Sequence, residues 1–187
     1  MTIKFGPWPI RSSEIFFTSK LSYGLVNLKP LVPGHVLVIS RRLVVRFNDL
    51  TSEEVSDMFS SVHQISKVIE KLHKADSLTI SMQDGPAAGQ SVAHVHIHII
   101  PRHHGDWMNN DDIYPEIQRK ELELALETAR NAGDSSTVAN IEHRMKPFSG
   151  PDAEDRPPRT LDDMAVESGS LRSMFKQYDD IWGTSSK

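Results

Sequence analysis

Apolar residues recur with two different periods along this chain, and those periods mark out its elements. Residues 15–17 and 23–28 read as short strands, and residues 35–40 (His-Val-Leu-Val-Ile-Ser) read as a largely buried one. Pro30, Pro33 and Gly34 lie between the second and third as a turn cluster, so antiparallel hairpins are expected. From 51 to 74 the period changes. Val55, Met58, Phe59, Val62, Ile65, Val68, Ile69 and Leu72 fall at steps of three and four, one continuous helical stripe. Thr51 and Glu54 are spaced as a capping box, and Lys71, His73 and Lys74 suit the negative end of the helix dipole. Residues 77–84 form another strand, with Leu78, Ile80 and Met82 on one face. Residues 94–100 alternate again, His-Val-His-Ile-His-Ile-Ile, and Pro101 is expected to end that strand. Beyond Pro115 the order weakens. Residues 116–130 have helical composition but a ragged apolar pattern, and 131–158 are polar and rich in Pro and Gly, which predicts a flexible insertion. A last helix is expected over about 161–181, with Thr160 as its N-cap.

In the histidine strand, His94, His96 and His98 share one face and Val95, Ile97 and Ile99 the other. Three imidazoles make a poor core. They suit proton transfer and nucleophilic attack near neutral pH. A metal site fits less well. The first and third imidazoles are about 13 Å apart along a strand, too far for one ion, and no HExxH helix or cysteine pair is present. A plain solvated face is the other alternative. The preceding loop decides between them. Gly85, Gly89, Gln90 and Ser91 bring backbone N–H groups and short polar side chains beside the histidines, where an anion would be held.

Composition narrows the picture. The chain has 187 residues, 38% hydrophobic and 25% charged, and a net charge of −4, with no general electrostatic grip on nucleic acid. It has no cysteine, hence no disulfide, thiolate site or cysteine nucleophile. No secretory signal or apolar run of about 18 residues is visible, so a cytoplasmic or nuclear location without a membrane partner is expected.

The block 94–100 matches the His-x-His-x-His signature followed by two apolar residues. Together with 81–86, 88–91, 94–102 and 32–38, it resembles the fragile histidine triad branch of the histidine triad superfamily, of the fungal type with an insertion before the last helix. The similarity runs from Phe5 to about Tyr114 and resumes near Asp163 and Leu171. It implies an α+β fold: a five-stranded antiparallel sheet, one long helix at about 51–74 and a C-terminal helix. The corresponding domain plan is a catalytic core over 1–115, a flexible insertion over 116–159 and a C-terminal helix over 160–187 that packs back on the core.

The resemblance also implies an activity. Members of this branch are two-fold dimers that hydrolyse dinucleoside polyphosphates and release AMP. His96 would then be the nucleophile, with its second nitrogen on a backbone carbonyl, and His98 would contact the phosphate and the leaving oxygen. His94 and His35 would orient and support His96. Asn27 and Gln83 would bind substrate, Gly89, Gln90, Ser91 and Val92 would form the phosphate loop, and Trp8, where the branch carries a histidine, would stack. Phe5, Ile10, Leu25 and Leu37 are candidates for an adenine cleft. A divalent cation, magnesium or manganese, is expected to arrive with the polyphosphate, with no protein-held metal. The rival readings are a nucleoside phosphoramidase, a nucleotidyl transferase (disfavoured by His98 where that class has glutamine) and a nucleotide-bound signalling module. The preferred bridge length, three or four phosphates, is not legible in these residues.

Overall fold

The computed structural model describes residues 3–144 and 159–175. A small ribbon, β1 (Lys4–Phe5) and β2 (Trp8–Pro9), precedes the main sheet. Five strands follow: β3 (Ile15–Thr18), β4 (Ser22–Val26), β5 (Val36–Ser40), β6 (Ser77–Ser81) and β7 (His96–Arg102). They form one antiparallel sheet in the order β3-β4-β5-β7-β6. The helices are α1 (Ser52–His73), α2 (Ile113–Asn131), α3 (Ser135–Arg144) and α4 (Leu161–Met174). The α+β architecture is the expected one.

The sheet separates two interiors because alternate residues of each strand face opposite ways. Val36, Val38, Val95, Ile97 and Ile99 face α1, where Met58, Val62, Ile65 and Ile69 meet them, and Met164, Leu171 and Phe175 extend this core at the α4 end. Leu37 and Ile39 point to the other face, with Phe5, Tyr23, Leu25 and Val92. Cross-strand partners put His98 opposite Leu37 and His96 opposite Ile39, so the imidazoles share this second face.

Helix α1 starts where the capping box places it. Thr51 accepts from Glu54 N–H at 3.2 Å, and Glu54 accepts from Thr51 N–H at 2.8 Å. It ends at Lys74 in the left-handed conformation, φ 51°. Helix α4 repeats the box with Thr160 and Asp163, and Arg172 donates to the carbonyls of Ser12 and Ile15, which holds it against β3. The helix ends at Met174 with Phe175 as its C-cap, short of the expected 181; residues 145–158 and 176–187 lie outside the described residues.

Three details depart from expectation. Residues 116–144, read as part of a flexible insertion, fold into α2 and α3. Their pattern looks ragged because Lys120 and Glu121 are buried on the inward side, between Ile117 and Leu122. Strand β7 runs through Pro101 to Arg102. Beyond Ile99 it has no β5 partner, so fewer ladder bonds depend on that residue's missing N–H. Finally, Ile80 does not join Leu78 and Met82 against the core and is 47% exposed on the edge strand β6.

Ile97 is 1% exposed, between α1 and the site-bearing side of β7. Ile97→Ala should lower stability by about 2–5 kcal/mol through lost burial and the cavity left behind. Urea unfolding with an unchanged slope and a lower midpoint would register this; a midpoint shift worth under about 0.5 kcal/mol would mean that the core closes up around the missing carbons.

Candidate active site

Side chains from five parts of the chain converge on the second face of the sheet. β7 supplies His96 and His98, the end of β4 supplies Asn27, and the start of β5 supplies His35. The loop before β7 supplies Ser91 and Val92, and α2 supplies Glu121. All except Ser91 are buried.

The hydrogen bonds fix which nitrogen of each ring carries a proton. Leu31 N–H donates to His35 Nδ1 at 3.2 Å, so His35 Nε2 holds the proton and donates to His98 Nδ1 at 2.9 Å. His98 must then present Nε2–H outward, and it meets Glu121 Oε1 at 2.7 Å. His96 donates from Nδ1 to the His94 carbonyl at 2.7 Å and from Nε2 to the same Glu121 oxygen at 2.6 Å. With protons on both nitrogens, His96 is an imidazolium beside a carboxylate.

The electrostatics agree with this assignment. Burial acts to lower the pKa of His96, but the Glu121 charge, its hydrogen bond and the His94 carbonyl outweigh burial and raise it. Burial prevails at His98 and His35, and both are lowered, His35 well below the usual histidine range. Glu121 is also buried, which would raise it, yet the two histidines hold it far below the usual carboxylate range. The sign of the coupling follows. The His96 share of the pairing is complete below the ordinary histidine value and is lost as pH rises through the raised one. The Glu121 share is lost only on acidification through its depressed value.

The other predicted residues divide between the cavity wall and supporting positions behind it. The His94 ring does not line the cavity. It accepts from Gly6 N–H at 3.1 Å and points Nε2 at the Ser40 carbonyl, 2.8 Å, and the Arg42 carbonyl, 3.1 Å. It therefore staples the N-terminal ribbon to the end of β5, and its carbonyl, not its ring, orients His96. The Gln90 side chain is consumed inside the loop, accepting from Gly85 N–H and donating to the Val45 carbonyl, so it is not aimed at a phosphate. Asn27 Oδ1 accepts from Lys29 N–H at 3.0 Å, and its nitrogen lies 3.2 Å from His35 Nε2. Val92 lines the cavity. Gly89 has φ +94°, a conformation that favours glycine, and a Cβ there would sit 2.9 Å from the end of the Gln83 amide. Trp8 is not among the residues that line the cavity; it packs against the second-face core with Phe5 and Val92 and against the α2–α3 cluster of Leu122, Ala125, Leu126, Ala129 and Ile141. Phe5 and Leu37 line the cavity, whereas Leu25 is buried in the cluster behind them and Ile10 lies at its margin.

The residue that sequence reasoning missed is Glu121. Its five neighbours are all donors. Besides the two histidines, Ser91 N–H and Oγ reach Oε2 at 3.2 and 3.0 Å. The Gln83 amide, oriented with its nitrogen toward the carboxylate, lies 3.0 Å from Oε2 and 3.3 Å from Oε1. The available signal was spacing: Ile117, Glu121 and Leu124 fall at steps of four and three, and all line the same cavity.

His96, His98 and Glu121 also form a candidate metal triad, with ligand atoms within 4.8 Å of one another. As folded, though, the carboxylate oxygen is 2.6 and 2.7 Å from the two nitrogens. Ligands sharing a tetrahedral zinc would stand about 3.3 Å apart. The observed spacing is that of shared protons.

The sheet, the histidine-bearing β7 and the loop before it define a histidine triad protein, and comparison with known proteins agrees. The HIT domain family matches residues 11–105, and the chain belongs to that family. Within it the chain falls in the fragile histidine triad branch. It is 43% identical to a bis(5'-adenosyl)-triphosphatase of Dictyostelium discoideum, over 94% of this chain and 95% of that one. It is 42% identical to an asymmetrical bis(5'-nucleosyl)-tetraphosphatase of Schizosaccharomyces pombe, over 92% and 94%. Among solved structures, the diadenosine triphosphate hydrolase of Plasmodium falciparum in complex with cyclomarin A aligns with a TM-score of 0.63 and 27% identity, covering 94% of this chain and 85% of that one.

The raised pKa of His96 is directly observable. Its imidazole should titrate above the ordinary histidine value of 6.5 in the native protein and move down in Glu121→Gln, where burial is no longer opposed by a charge. Histidine Cε1–H resonances followed against pH give both midpoints. Equal midpoints would show that the carboxylate does not set the protonation state of His96.

Proposed function

We propose that this chain hydrolyses dinucleoside polyphosphates, diadenosine tri- and tetraphosphate, to AMP plus ADP or ATP through a covalent nucleotidyl-histidine on His96. The observation that carries this reading is the paired polarity of the two inner histidines. His96 is anchored through Nδ1 to a carbonyl, and His98 is forced to present Nε2–H, both toward one nest of anion donors. The names of the relatives supply the substrate class.

In the reacting state the anionic substrate replaces Glu121, and the departing carboxylate carries off the His96 Nε2 proton to solvent. The freed lone pair attacks the α-phosphorus in line, a P–N bond forms, and the P–O bond to the departing nucleotide breaks. His98 Nε2–H donates to the oxygen that leaves or to the phosphoryl oxygens, where charge accumulates. His35 is a positioning residue: its proton on His98 Nδ1 keeps the His98 donor pointing at the phosphate. Ser91 N–H and Oγ and the Gln83 amide hold non-bridging oxygens. Water then attacks the phosphorus, the P–N bond breaks, and AMP leaves. Asn27, Phe5 and Leu37 line the space for the nucleoside. A magnesium or manganese ion accompanies the polyphosphate as part of the substrate and offsets its charge.

A homodimer belongs to the same reading. Strand β6 ends the sheet, its Ile80 is 47% exposed, and an open edge of this kind is where a second copy adds its own strand. Sedimentation at micromolar concentration should give twice the 21.0 kDa chain mass, and Ile80→Lys should shift the equilibrium toward the single chain.

The activity is tested by incubating the purified chain with magnesium and each dinucleotide and separating the products. AMP with ADP from the triphosphate, and AMP with ATP from the tetraphosphate, are expected, with turnover reduced at least about 10⁴-fold in His96→Ala. Cleavage of an adenosine phosphoramidate with neither dinucleotide turned over would replace this reading with a phosphoramidase.

A further inference from the structure

Helix α2 fills the site that the preceding reading assigns to a nucleotide. The cavity bounded by Phe5, Asn27, Leu37, the histidines and α2 has a volume of about 10 Å³, room for one water. Ligand pockets run to several hundred Å³. A nucleotide therefore enters only when α2 withdraws.

We propose that Glu121 is a specificity-determining residue, a built-in carboxylate competitor seated in the phosphate subsite, which admits only ligands whose own anionic group takes over its donors. This rests on the reading that the subsite receives phosphate.

Three observations carry the proposal. First, the chemistry of the seat is that of an anion: Ser91 N–H, Ser91 Oγ, His96 Nε2, His98 Nε2 and the Gln83 amide all address the two carboxylate oxygens. Second, the charge lies beside hydrocarbons. Ile117 and Leu124, the neighbours of Glu121 on the inward face of α2, line the cavity with Phe5, Leu37 and Val92, and Lys120 of the same helix lines it too. Packing alone would favour an apolar residue there, since a buried carboxylate is costly without partners. Third, α2 stands apart from the main core over α1, and its remaining attachments are three smaller clusters and an ion pair. Ile113 and Ile117 meet Ile100, Leu124 touches the second core, and the Leu122–Ala129 face meets Trp8. Lys29 pairs with Glu127 at 3.0 Å. Lys29 also lines the cavity, so withdrawal of α2 removes the carboxylates of Glu121 and Glu127 together with the Lys120 ammonium, and leaves the histidine nest and Lys29 facing the space. A ligand with successive phosphates meets both. A neutral nucleoside meets neither and gains nothing that offsets the lost pairing.

The test uses AMP as the probe, on the full chain, by calorimetry at constant pH. AMP should bind at least tenfold more tightly to Glu121→Gln and Glu121→Ala than to the native protein, and the KM for diadenosine triphosphate should fall in parallel. Adenosine should bind the native chain far more weakly than AMP. A second measurement needs no variant: hydrogen exchange of amides 113–131 in the native protein should accelerate when AMP binds. Unchanged or weaker AMP binding in both variants, or greater protection of 113–131 with AMP, overturns the proposal. So does a fall in kcat at unchanged KM, which would place Glu121 among the catalytic residues. Tighter AMP binding by the variants with no turnover of either dinucleotide by the native chain would keep the competitor and remove the hydrolase. Turnover without that tightening would do the reverse.

Discussion

A strand buried on both faces has to sort its side chains by chemistry, and β7 does so with its period of two. Val95, Ile97 and Ile99 are fixed against α1 by the largest hydrophobic core in the molecule. A slip of one residue would drive imidazoles into that core and expose three β-branched hydrocarbons on the other side. The apolar half of the strand therefore aims the histidine half. The strand contributes precision to the site because its reverse side is where most of the folding energy is collected.

Burial then imposes a second constraint. A histidine held out of water must have both ring nitrogens bonded, or the fold bears the cost of an orphaned polar atom. The path from Leu31 N–H through His35 to His98 and on to Glu121 meets that demand in one direction only, since a single backbone donor at its start settles every tautomer along it. His94 meets the same demand elsewhere, between Gly6 N–H and the carbonyls of Ser40 and Arg42. Arg42 in turn makes a two-pronged contact with Glu54 in the capping box of α1, so helix start, loop and histidine strand are mechanically one unit.

The sheet, α1 and the start of α4 were legible in the sequence because periodicity and capping chemistry are local properties. The histidine face was legible for the same reason, and so was a backbone carbonyl as the partner of His96 Nδ1. The jobs of His94 and Gln90 were not, because each is decided by distant backbone: Gly6 and Ser40 for one, Val45 for the other. Trp8, read as a stacking residue, packs against both the second-face core and the cluster of α2 and α3, helices that the pattern had dissolved into an insertion. That pattern failed for a physical reason. The inward face of α2 interrupts its hydrocarbons with Lys120 and Glu121, and a helix that serves a polar site cannot show a clean apolar stripe.

The choice of a carboxylate at position 121 resolves a conflict between an empty site and a dry one. An apolar residue would seal the cavity but strand the N–H groups of His96 and His98 and the donors of Ser91. Water would satisfy those donors, but it would leave His96 in contact with solvent. A carboxylate seals and satisfies together. The net stability of such a buried pair is small, because Coulomb attraction is largely cancelled by desolvation of both ions. Its removal by a phosphate is thus an exchange between two anions on the same five donors, not the breaking of a strong bond. The same cancellation makes the exchange selective, since a ligand that brings no anion would leave His96 and Ser91 without partners and would meet the full desolvation cost.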